Sequence, residues 1–149
     1  MTDISFYHLQ KWPLEDALPK LLEKVSSSGM RAVIMAGSAE RVEHISARLW
    51  TYKPESWLPH GSPADGRPAD QPVWITTEDD NPNGSDVLVL TDGTTSSRTG
   101  SFARVLEMFD GNDPAAVKAA REHWKVYKAD GHSVTYWKQT DRGGWEKAG

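Results

Sequence analysis

The stretch that most restricts the fold is Arg31–Ala36, RAVIMA, an apolar run in which polar residues do not alternate with apolar ones. A strand with one face in water alternates. A strand covered on both faces does not, and that is the pattern of a parallel sheet held between helices. The flanking residues agree. Before the run, Leu14, Leu18, Leu21, Leu22 and Val25 recur at helical spacing. Pro13 suits the first turn of that helix, Pro19 kinks or restarts it, and Gly29 supplies a left-handed cap. After the run, Gly37 turns the chain, Ser38 caps a second helix and Glu40 sits in its first turn, where an anion suits the helix dipole. Val42, Ile45 and Leu49 form its inner face. With Ile4–Leu9 as an opening strand, the first half reads strand, helix, strand, helix. That order predicts an α/β fold with a largely parallel central sheet.

Further along, Pro72–Thr77, Asp86–Thr91, Phe102–Phe109 and Val134–Trp137 read as strands. Between them lie an irregular apolar stretch at 51–61, a polar loop at 62–71, an acidic turn at 78–85 and a polar loop at 92–101. Asp113–Lys128 reads as a helix, capped by Asn112 or Asp113, with Pro114 near its first turn and Gly131 closing it. Residues 1–137 are expected to form one domain, and 138–149 a polar, frayed tail of which Trp145 alone packs back on the domain.

Several chemistries are disfavoured. There are no cysteines, which removes disulfides, thiol nucleophiles and the common Cys-based zinc sites. None of the five histidines stands at metal-ligand spacing, so no metal is expected. His60 reads as a structural hydrogen-bonder. The turn AGSAER carries one glycine rather than G-x-G-x-x-G, and no G-K-[ST] follows. A small Rossmann-like nucleotide-binding protein or enzyme using the Gly37 turn is therefore the alternative reading. Ser133, in GHSVT, lacks the second glycine of a nucleophile elbow. Glu78, Asp79 and Asp80 read as a solvated acidic loop. No catalytic group and no cofactor are expected. The net charge of −4 argues against binding bare DNA or RNA through phosphates. No run of eighteen apolar residues and no signal-peptide pattern are visible, so no membrane span and a cytoplasmic location are expected.

The last helix remains. Val117, Ala120, Trp124 and Tyr127 make an apolar stripe, and Lys118, Arg121, Lys125 and Lys128 run beside it. Residues 114–128 hold these four cations and one anion, Glu122. Arginine grips a carboxylate with two parallel hydrogen bonds, and an adjacent indole gives a wall for an apolar side chain. The pair suits an acidic peptide that ends in an apolar residue and a free carboxylate. A solvated lysine-rich face that complements the helix dipole is the competing reading. Trp57, in a loop between prolines, is either a plug or an interface anchor.

The chain resembles the chi subunit of bacterial DNA polymerase III, a clamp-loader accessory family. Three parts carry the likeness: Phe6-Tyr7 with Leu9; Leu49-Trp50 followed by Glu55-Ser56-Trp57-Leu58-Pro59-His60; and Arg121-Glu122, Trp124-Lys125 and Tyr127-Lys128 with Ala129 and Gly131. The resemblance implies a Rossmann-like three-layer fold without nucleotide chemistry, and an accessory role with no activity of its own. It implies binding of the acidic C-terminal tail of single-stranded-DNA-binding protein. The family's carboxylate-binding arginine falls on Arg121, its neighbouring aromatic and lysine on Trp124 and Lys125, and Lys118 lies near a further basic position. It also implies a second surface, at Trp57 with Leu58, for the psi subunit or an XPD-type helicase. A monomer is expected when the chain is alone.

Overall fold

The computed structural model describes residues 2–10, 12–51, 60–62, 66, 69, 71–142 and 144–148, Trp50 by its backbone alone. The strands are β1 (Asp3–Leu9), β2 (Ala32–Met35), β3 (Val73–Thr76), β4 (Val87–Leu90), β5 (Arg104–Asp110), β6 (Ser133–Gln139) and β7 (Trp145–Lys147). The helices are α1 (Leu14–Ser27), α2 (Ala39–Thr51) and α3 (Pro114–Ala129). Every residue of β2, β3 and β4 is buried, which is why their sequences do not alternate.

These strands form one sheet in the order β3-β2-β4-β5-β1-β6-β7. Each neighbouring pair is parallel except β6 with β7. Side chains alternate between the faces. Tyr7 and Leu9 of β1 join the residues of α1 and α2 in one core cluster, while Ile4 and Phe6 join Ala120 and Tyr127 of α3 in the other. The result is a three-layer α/β fold, with two helices on one face and α3 on the opposite one. Among the described residues, no helix is long and apolar enough to cross a membrane.

Three local expectations differ from what is observed. Helix α1 runs unbroken through Pro19, which is buried. The donor that Pro19 lacks would have met the carbonyl of Glu15, four residues back, so the loss falls near the start of the helix. The acidic loop is not merely solvated: Asp79 accepts hydrogen bonds from Ser96 Oγ (2.5 Å), Ser97 N (3.0 Å) and Ser97 Oγ (2.8 Å), joining it to the loop before β5. Described residues of the tail form secondary structure. β6 extends to Gln139, and β7 pairs back on it, Gln139 opposite Trp145. Trp145 meets Tyr7 edge-on at 4.9 Å. Gln139 Oε1 accepts from the amides of Gln10 (3.0 Å) and Trp12 (2.8 Å), which fixes the hairpin's root to the corner after β1.

Candidate protein-interaction site

Helix α3 connects two parallel strands, so it must run antiparallel to them across the sheet. Asp113 starts it, its side chain accepting from Ala115 N at 3.0 Å, with Pro114 next in the chain. Of the apolar stripe, Ala120 and Tyr127 are buried and Val117 and Trp124 half-buried. The stripe therefore serves mainly to seat the helix. Trp124 packs on Phe6, ring centroids 5.6 Å apart, and on Tyr136 at 6.0 Å.

Lys118, Arg121, Lys125 and Lys128 are exposed. Among the ion pairs of the described residues, none involves these four. The arginines of α2 behave differently: Arg41 pairs with Glu15 and Asp92, and Arg48 with Asp16. Lys128 lies over the Trp124 ring, 5.5 Å from its centroid. Arg121, Trp124, Lys125 and Lys118 thus occupy one continuous flank of α3, charged and open.

Residues that the sequence reading did not single out complete this flank. Tyr136 of β6 lies between Trp124 and His8, and its hydroxyl is 2.5 Å from His8 Nδ1. Burial, and then the positive charges of Lys138 and Arg121, hold the His8 pKa below its ordinary value. The signal for Tyr136 was present in the alternation of β6, where Val134 and Tyr136 share a face.

On the other flank, His123 and Tyr127 hold Glu107 of β5. His123 Nδ1 lies 2.8 Å from Glu107 Oε2, and Tyr127 donates to Oε1 at 3.4 Å. Burial pushes the Glu107 pKa up, and the hydrogen bond to Glu107 raises that of His123. Beside them a cleft of about 710 Å³ opens at the carboxyl ends of β1 and β5. The chain leaves β1 toward one face of the sheet and β5 toward the other, so the cleft sits at a topological switch point, where α/β sheets commonly hold ligands.

The Gly37 turn, where the nucleotide reading would place a phosphate, is filled. Asp92 Oδ2 accepts from Gly37 N at 3.0 Å and from Arg41 Nε at 3.2 Å, so the chain's own carboxylate occupies the start of α2. Glu15, Asp92, Glu107, Asp110 and Asp113 line the cleft, with Arg41 and His123 as its basic groups. That charge repels phosphate and opposes the nucleotide reading. Among the described residues no His, Cys, Asp and Glu cluster could hold a metal ion. His60 is buried, a ring nitrogen 3.2 Å from the carbonyl of Ser46. Trp57 and Leu58 lie outside the described residues.

A family model described as "DNA polymerase III chi subunit, HolC" matches residues 1–135. A Rickettsia prowazekii protein named "Probable DNA polymerase III subunit chi" is 38% identical over 90 residues, 60% of this chain and 54% of that protein. The match therefore spans about half the length of that relative. A Pseudomonas aeruginosa protein named "DNA polymerase III subunit chi" is 24% identical over 137 residues, 90% of this chain and 94% of its own length.

Proposed function

This chain belongs to the DNA polymerase III chi subunit family of replication accessory subunits, and we propose that it acts as a non-catalytic adaptor for the acidic C-terminal tail of single-stranded-DNA-binding protein. Through this contact it links coated single strands to the DNA polymerase III clamp-loader complex. The observation that carries the reading is the open row of cations on α3, with no ion pair to the described residues, beside the half-buried Trp124.

Each residue has a role. Arg121 holds the terminal carboxylate in a two-pronged hydrogen bond. Trp124 walls the last, apolar side chain. Lys125 and Lys118 attract the acidic residues that precede it, and that contribution weakens with salt. Trp57 and Leu58 belong to a second surface for the psi subunit or an XPD-type helicase. Support for that surface is the family resemblance of the Glu55–His60 stretch.

Calorimetry with an acidic peptide ending in Pro-Phe tests the reading. The free-acid peptide binds, and the same peptide with an amidated C-terminus loses about 1.5–3 kcal/mol, the range for a hydrogen bond to a charged group. Equal binding of the two forms rules out carboxylate recognition at Arg121.

A further inference from the structure

The strand that follows α3 adds a cation to the same flank. Val134 and Tyr136 of β6 pack on the α3 side of the sheet, so alternation sends Lys138 to that side too. Lys138 is exposed and stands beside His8 in the parallel register. Its charge and that of Arg121 both act on the His8 ring, with Asp110 opposing them. Trp124 of the helix and Tyr136 of the strand, 6.0 Å apart, form the apolar floor between the two elements. The strand β7 holds Lys138 in place from its other side, with Glu146 as the opposite residue. No ion pair joins Lys138 to Glu146. Tyr136, Lys138 and the hairpin lie beyond the residues that the family model matches.

We propose that Lys138 forms a second carboxylate subsite, across the Trp124–Tyr136 floor from Arg121. It takes an acidic side chain of the same tail peptide whose terminal carboxylate docks on Arg121. The inference rests on the tail-binding reading above. Two cations on separate elements give the peptide a direction, since one end is fixed on the helix and an upstream residue on the strand. Glu146 is the competing carboxylate, directly across the ladder from Lys138.

The test is a double-mutant cycle read by calorimetry. One peptide is acidic and ends in Pro-Phe; the other has its acidic side chains changed to amides and keeps the terminal carboxylate. Lys138→Ala is expected to weaken the acidic peptide about fivefold, the scale of an exposed charge pair, and to leave the amide peptide unchanged. Glu146→Gln is expected to tighten the acidic peptide only. An equal effect of Lys138→Ala on both peptides, or none on either, overturns the subsite. Arg121→Ala separates the two ideas. If it weakens both peptides while Lys138→Ala weakens neither, the subsite fails and the tail reading stands. If the unaltered protein binds neither peptide, the tail reading fails and the subsite goes with it.

Discussion

His123 Nδ1 lies 2.8 Å from Glu107 Oε2, and this contact joins α3 to β5 two residues along from Arg121. It places a histidine and a buried carboxylate on the flank of α3 opposite the cation row. Tyr127 completes the group from the next turn of the same helix.

The pair makes stability pH-dependent in a definite direction. The folded pKa of His123 is raised, so its contribution is full below about pH 6.5 and is lost as pH rises through the folded value. The folded pKa of Glu107 is raised as well, by burial. The folded protein again holds more protons than the unfolded chain, and stability falls as pH rises from the ordinary carboxylate range. His123→Asn keeps a neutral donor and removes the titration. Urea unfolding should show the unaltered protein's lead over this variant shrinking as pH rises from about 6 to about 9. A lead that grows with pH contradicts the assignment.

Asp92 stabilises the start of α2 from a distance of 55 residues in sequence. It does so in a left-handed conformation, φ 55°. Asp92→Ala removes the bonds to Gly37 and Arg41 and leaves a Cβ residue in a backbone shape it disfavours. The expected cost is about 2–3 kcal/mol in chemical denaturation. Tail-peptide affinity should not change, because the cleft is on the opposite flank of α3. A loss of peptide binding at unchanged stability goes against this division of roles.

Trp145 covers Tyr7 from the C-terminal hairpin. Trp145→Ala should cost about 1–2 kcal/mol, from lost apolar burial and the edge-on ring contact. Hydrogen exchange should speed up along β6 and leave β2 and β4 protected. Uniform protection in the variant would show that the hairpin contributes nothing to the edge of the sheet.

Local pattern made much of this fold legible. RAVIMA announced a strand covered on both faces, and β2 is buried throughout. Asp113, Pro114 and Gly131 bounded the last helix nearly where it begins and ends. What escaped is contact between distant segments. Nothing near Gly37 signals that Asp92 fills its turn. His123 fell between Ala120 and Tyr127 on the buried side of α3, which hints at a polar partner, but the spacing does not identify Glu107. The hairpin was hidden because 138–149 is polar, and only Trp145 carries apolar surface enough to hold it. Lys138 was missed for the same reason: its place on the flank depends on β6 continuing past Trp137.

The most direct test of the tail-binding account is the affinity of Arg121→Ala for the acidic peptide ending in Pro-Phe, measured by calorimetry beside Trp57→Ala. Arg121 is exposed and makes no ion pair with the described residues, so its removal should leave the melting temperature unchanged. The account predicts a loss of about 1.5–3 kcal/mol for Arg121→Ala and no loss for Trp57→Ala. Undiminished affinity in a folded Arg121→Ala protein would contradict it.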